Sequence, residues 1–352
     1  MPQTSTNSLQ PAYKASAATP SPLPLHPDLP SIPLLEVGPD FPMETLEREF
    51  DRANRLLDQA TTIVPRRALA SLDRVSRRWL QRWNNSHLPE IDRIASKLGR
   101  PGAYFLSVNY EWGCTCRVAP SPDGSSARLV RVLDWRTDGL GENVLAARVA
   151  GRVGPFLTMT WPGYTGVLQA VAPGRFAAAL NQAPMRKALG YYYIDWAANR
   201  RRVWNMPHGT PAHLLRTVFE RAENFRQARE MIANTPISTP AIFSLAGIKP
   251  DETCVIERRE TTARVITGSQ VAANHWQTIG WTGHARGNDS AGRACRMSGV
   301  PTSFDQKLSW LKEPILNPTT RLVMIADAKS GRFLVQGFEK DGAATQILQS
   351  VA

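Results

Sequence analysis

At 352 residues and 42% hydrophobic content, the chain is long enough for one large domain or two ordinary ones, each with a sizeable core. A net charge of +12 and a pI near 10 invite a nucleic-acid reading, but the arginines are scattered through every segment with no RNA-binding or zinc-finger signature, and we set that class aside. Four cysteines are too few for a disulfide framework, a lone Cys-x-Cys lacks the second pair of a zinc site, and no apolar run reaches membrane-spanning length, so neither metal, cofactor nor transmembrane segment is expected.

Residues 1–43 are rich in Pro, Ser, Thr and Ala without periodicity, which predicts a disordered arm. They lack the apolar stretch of a secretory signal, so the expectation is a cytoplasmic, reduced protein. "METLEREFDRANRLLDQATTIV" then repeats Leu46, Phe50, Ala53, Leu56 and Leu57 on one helical face. "RRALASLDRVSRRWLQRWNN" places Leu69, Leu72, Val75, Trp79, Leu80 and Trp83 at helical spacing among six arginines. That stripe could lie on an anionic membrane, but its plainer reading docks it on the core. "LPEIDRIASKLGR" predicts a third helix, closing at Gly102.

Past "AYFLSVNYEWG", beyond residue 113, short apolar or alternating runs predict strands: "CTCRVA", "ARLVRVLDW", "VLAARVAG", "FLTMTW", "VLQAVA" and "RFAAALN". A helical block follows at "TPAHLLRTVFERAENFRQAREMIAN", with Thr210 as N-cap and Pro211 at the first helical position. Strands return at "CVIERRETTARVIT" and "RLVMIADAKSGRFLVQGF", the latter turning at Lys329-Ser330-Gly331. Helices separating two batches of antiparallel strands predict a layered α+β domain with helices covering the sheets.

The chemistry concentrates in residues 111–135, "EWGCTCRVAPSPDGSSARLVRVLDW". A free cysteine in a strand is ordinarily a small hydrophobe, and becomes a nucleophile only with a lowered pKa or a nearby base. Here Gly113 precedes Cys114, and Arg131 and Asp134 return on the partner strand after the Ser121–Gly124 turn. On an ideal strand Arg131 and Asp134 face opposite sides, so serving one cysteine would require a bend near Leu133. Cys116 shares the face of Cys114 and competes for Arg131.

This stretch resembles the start of the catalytic chain in the choloylglycine hydrolase and acid ceramidase group of N-terminal nucleophile (Ntn) hydrolases, which includes penicillin acyltransferase-like relatives. Cys114, Arg131 and Asp134 fall on that pattern's nucleophile, arginine and aspartate. In chain order, "FAAALNQAP" is similar to the segment supplying Asn181 with Gln182, "VAANHW" to the motif supplying Asn274, and "NDSAGRACRM" to the element supplying Arg293. The sequence departs at Val132, where Asn is usual, at Cys116, where Ser is usual, and in a longer turn.

The resemblance implies a four-layer αββα sandwich of antiparallel sheets, with 44–113 as a helical propeptide or α-chain and 114–352 as the catalytic β-chain, the two staying associated after cleavage at Gly113–Cys114. It implies a cysteine amidase acting on a linear, non-peptide N-acyl amide. The freed Cys114 α-amino group, with an ordinary pKa of about 7.7–8.0, would serve as base. Asp134 would orient it, Arg131 would stabilise the thiolate, Asn181 or Asn274 would hold the oxyanion, and Arg293 would balance charge. "WPGYTG", with Trp161 and Tyr164, reads as a tight turn lining the substrate pocket. An acyltransferase using the same acyl-enzyme, a non-catalytic lipid- or partner-binding relative, and Cys-His catalysis through His275 or His284 remain as alternatives; a homo-oligomer is left open.

Overall fold

The computed structural model describes residues 28–63, 65–108 and 112–351. The first part holds β1 (Leu34–Val37), α1 (Phe41–Arg48), α2 (Phe50–Ile63), α3 (Arg66–Arg82), α4 (Leu88–Leu98) and α5 (Ala103–Val108). Next come β2 (Trp112–Pro120), β3 (Ala127–Trp135), β4 (Leu145–Val149), β5 (Phe156–Thr160), β6 (Gln169–Ala172) and β7 (Phe176–Gln182), then α6 (Tyr192–Trp204), α7 (Pro211–Arg221) and α8 (Phe225–Asn234). The chain continues with β8 (Ala241–Ala246), β9 (Thr253–Arg258), β10 (Ala263–Thr267), β11 (Gln270–Ala272) and α9 (Ser290–Ser298). It ends with β12 (Thr320–Asp327), β13 (Arg332–Glu339), β14 (Gly342–Ala343) and β15 (Leu348–Val351).

Two sheets face each other. One has the order β1-β4-β5-β6-β7-β8-β9-β10; the other runs β11-β2-β3-β12-β13-β14, with β15 also on β13. Period-two alternation along β3 assigns its sides. Leu129 and Leu133 belong to the core between the sheets, together with Cys114 and Cys116 of β2 and Leu180 and Phe243 of the facing sheet. Val130 and Val132 belong to a second core on the outer side, with Met297, Trp310 and Ile315. Helices α7 and α8 contact the first sheet and α9 the second, so the layers run helix, sheet, sheet, helix as expected. A third cluster, Leu46, Trp79, Leu80, Ile91 and Ile94 among it, holds α1, α3 and α4 together.

Basic residues are used inside the fold. Arg131, Arg258, Arg293 and Arg321 are among the largest fully buried side chains. Arg258 donates to the Ile232 and Thr235 carbonyls, and Arg175 to those of Phe219 and Ala222, satisfying acceptors that helix ends leave open.

Several expectations are corrected. The disordered arm was drawn to residue 43, but β1 pairs in parallel with β4 and α1 starts at Phe41; residues 1–27 of that arm lie outside the described residues. That parallel pair also makes the first sheet mixed rather than purely antiparallel. The single helix read over residues 43–64 is broken at Glu49. The block after Thr210 divides in two: Asn224 caps α8 through the Gln227 N–H while the Gln227 side chain accepts the Glu223 N–H, a capping arrangement that starts a new helix. Helix α4 stops at Gly99, φ 63°, rather than at Gly102, because a left-handed residue ends the ladder there. On α3, Leu69, Trp79 and Leu80 dock as the plainer reading holds, but Leu72 and Val75 remain exposed.

Candidate active site

Strands β2 and β3 pair without interruption from Trp112 opposite Trp135 to Pro120 opposite Ala127. Cys114 lies opposite Leu133 and Cys116 opposite Arg131, which puts both thiols and the guanidinium on the face between the sheets. Asp134 lies opposite Gly113 and faces outward. The bend sought near Leu133 is absent from β3. The irregularity is across the ladder in β12, where Thr320 pairs with Asp134 and Leu322 with Leu133, leaving Arg321 between them.

The two charges therefore act on different parts of the cysteine. Inward, Cys114 is fully buried with Sγ 3.8 Å from the Leu180 carbonyl. Arg131 donates through Nη1 to Asn181 Oδ1 (2.5 Å) and to Cys116 Sγ (3.4 Å), while its Nε and Nη2 have no hydrogen-bond partner among the described residues. Burial pushes the Cys114 thiol up to about 12, and the nearby Arg131 only partly opposes it. With the Gly113–Cys114 bond intact, the thiol is protonated at neutral pH.

Outward, the main chain of Cys114 is clamped. Its N–H donates to Asn274 Oδ1 (2.7 Å), and its carbonyl accepts from Arg293 Nη1 (2.7 Å). Arg293 also donates to Thr115 Oγ1 and Asn274 Oδ1 and stands 3.4 Å from Asp134 Oδ2. Asp134 accepts from Thr320 Oγ1 at its other oxygen; burial raises its pKa, and Arg293 works against that rise. A β-carbon on Gly113 would sit 3.3 Å from the Asp134 Cβ and 3.4 Å from both Asp134 Oδ2 and the Gly287 Cα, so a side chain here would press on the Asp134 carboxylate.

The asparagines are placed beside the cysteines with their Nδ2 groups already in use. Asn181 donates to the Ala272 and Ala273 carbonyls and accepts the Cys116 thiol proton. Asn274 donates to the Gln182 carbonyl, and Gln182 Oε1 accepts the Trp112 N–H. No ring of the alternative histidines is bonded to a cysteine: His275 meets Ser290 Oγ, and His284 meets Asp195. All four cysteines are free, and no His/Cys/Asp/Glu group among the described residues is arranged to hold a metal.

Two cavities approach this site. One of about 230 Å³ is walled by Val75, Trp79, Gln182, Trp196, Trp204 and Arg286, and so touches the residues that hold Asn274. Helix α6, unanticipated from sequence, gives this cavity Trp196, Val203 and Trp204, and around the start of that helix Leu189, Tyr191 and Tyr193 are exposed. Buried Asp195 anchors that rim by accepting from the N–H groups of Ala188, Leu189 and Gly190 and by pairing with His284 at 2.9 Å. The second, about 60 Å³ and apolar, lies between α2, Trp135 and the Trp161–Tyr164 turn. Trp112, Trp135, Trp161 and Tyr164 touch in succession from the cysteine strand to this turn, the first pair tilted and the next two edge to face.

No family model matches the chain. Human acid ceramidase is 24% identical over 189 residues, 51% of this chain and 46% of that protein. A probable acid ceramidase of Caenorhabditis elegans is 26% identical over 288 residues, covering 71% and 68%. The N-acylethanolamine-hydrolyzing acid amidase of the same organism is 24% identical over 202 residues, covering 53% and 55%. The chain thus spans about half the length of several curated relatives it matches. A solved C. elegans ortholog of that amidase aligns with a TM-score of 0.47 at 21% identity, over 60% of this chain and 92% of its own. By these sequence matches the chain is similar to acid ceramidases and N-acylethanolamine-hydrolyzing acid amidases, in line with the resemblance of its cysteine hairpin.

Proposed function

We propose that this chain is a self-processing cysteine amidase that hydrolyses the C–N bond of a linear N-acyl amide through a thioester on Cys114. The observation that carries the reading is the clamp on one residue. Cys114 has its N–H on Asn274, its carbonyl on Arg293 and its thiol on the side of a buried guanidinium with two unpartnered nitrogens. A buried cation with unmet donors costs stability unless some state of the protein supplies an anion. A Cys114 thiolate or a substrate oxyanion would be that anion.

In the proposed self-processing step, the Cys114 thiol adds to the Gly113 carbonyl carbon, the C–N bond opens, and water hydrolyses the resulting thioester. Gly113 is left with a carboxylate and Cys114 with an α-amino group. That amine would take the thiol proton in each turnover; the thiolate attacks the substrate carbonyl, the amine leaves with that proton, and water releases the acid. Asp134 stands beside the junction, with Oδ2 paired to Arg293 at 3.4 Å but accepting no hydrogen bond among the described residues, and would hold the new amine.

The exposed apolar rim of α6 and the cavity behind it suit an amide with a long apolar acyl chain, delivered from a lipid surface. The test is to incubate the processed protein with N-lauroylethanolamine and with a short-chain N-acetyl analogue, quench in acid, and map the acyl adduct. Lauroyl on the peptide beginning at Cys114, with ethanolamine released, supports the reading. Release with no adduct on that peptide, or equal turnover of the short-chain analogue, counts against it, and transfer to an added amine faster than to water would make it an acyltransferase.

A further inference from the structure

The largest of the three cavities described here has no part in that chemistry. It encloses about 380 Å³ between the α3–α4 turn, the Pro207–Thr210 segment, and the facing sides of α7 and α8. Trp79, Trp83 and Met231 line it with apolar surface; His87, His208, His213 and Arg221 line it with nitrogen, and none of its lining residues is Asp or Glu. A cavity of this volume falls within the range of small-molecule sites.

His213 supplies the second observation. It is 3% exposed, bonds Thr165 Oγ1 through Nε2 (3.0 Å), and is pinned by stacking on the His87 ring with centroids 4.1 Å apart. Its Nδ1 has no hydrogen-bond partner among the described residues. Burial, with His87 and Arg216 adding to it, holds this ring neutral, so its unpartnered Nδ1 is a buried polar atom that a ligand in the cavity would meet. Arg221, at the end of α7, has an exposed guanidinium on the same cavity. An unpartnered buried nitrogen and an Arg at a cavity whose lining mixes Trp79, Leu80, Trp83, Leu214 and Met231 with histidine, asparagine and threonine side chains suit an anionic head on a short apolar tail.

We infer that this cavity is a binding site for a medium-chain monocarboxylate, separate from the cysteine site. Trp79 and Trp83 donate from their indoles to the Val203 and Trp204 carbonyls, and Trp79 and Trp204 also wall the cleft beside Gln182. The ligand would rest against the back of that wall.

The test is calorimetric titration of the full chain with sodium octanoate and, separately, with octanol. Arg221→Glu reverses the exposed charge, and Thr217→Trp fills the space. The expected result is one octanoate per chain, about tenfold weaker binding for octanol and for Arg221→Glu, and no binding to Thr217→Trp. Absence of saturable octanoate binding overturns the inference, as does an affinity unchanged in Arg221→Glu or shared by octanol. Should Thr217→Trp lose its cooperative melt, Arg221→Glu decides alone.

Discussion

The two faces of β2 at Cys114 are built to opposite standards. On the outer face, Arg293, Asn274, Thr115, Asp134 and Thr320 form a network in which Arg293 has partners on all three of its nitrogens. On the inner face, Arg131 is equally buried yet has two of its three nitrogens without a hydrogen-bond partner among the described residues. The outer face fixes the main chain of the cysteine; the inner face holds a charge that the described residues leave partly unsatisfied. Structural buried ions are paired, and an unpaired one marks the place where another charge is expected.

Removing one member from each face should break this comparison in different ways. Arg293→Met strips the outer network, leaves Asp134 buried beside no cation, and should cost about 3–5 kcal/mol by urea unfolding. Arg131→Met removes an under-satisfied cation and should leave the urea midpoint unchanged or raise it. Its turnover, by contrast, should fall on the order of 10²-fold to 10³-fold, as for loss of a group that stabilises charge in the transition state. A large stability loss in Arg131→Met with normal turnover would erase the distinction.

A smaller effect concerns the thiol. With its pKa pushed up to about 12, Cys114 in the uncut chain should resist iodoacetamide at pH 8 in the folded state, whereas exposed Cys295 should label readily. Rapid labelling of Cys114 before any cleavage would contradict the protonated, buried thiol.

The smallest effect lies at the rim. Three N–H groups and His284 hold the Asp195 carboxyl down to about 2, the bond from Leu189 being the strongest influence. A depressed carboxylate stabilises fully above its ordinary value near 3.9 and loses that contribution as pH falls through the folded value. Near-ultraviolet circular dichroism of the α6 tyrosines should therefore hold from pH 7 to 4 and change only towards pH 2. A transition well above pH 4 would contradict the anchoring role of the Asp195 carboxylate.

The strands carrying Cys114 and Arg131 were legible because every second residue between Leu129 and Leu133 serves one side, and because "SPDG" closes the turn with Gly124 at φ 68°. What the sequence could not display was the third dimension of the clamp. Asn274 and Arg293 are 160 and 179 residues from Cys114, so their bonds to its N–H and carbonyl follow from packing rather than spacing. The family resemblance nominated both residues without indicating which atom each would hold. Helix α6 was missed for a physical reason: its start has Tyr191 in place of a capping side chain, and its apolar residues are spread around the helix rather than along one face. Asp195 within that helix anchors the preceding loop instead, a role with no periodic signature. His213 was likewise hidden, since its stack on His87 joins residues 126 positions apart.

The account stands most directly on the intact mass of the purified wild type beside Cys114→Ala. It requires two fragments divided between Gly113 and Cys114 in the wild type and one uncut chain of 38.9 kDa in the variant. A wild type that stays whole through neutral and mildly acidic incubation would remove the free α-amino base, and the proposed amidase with it.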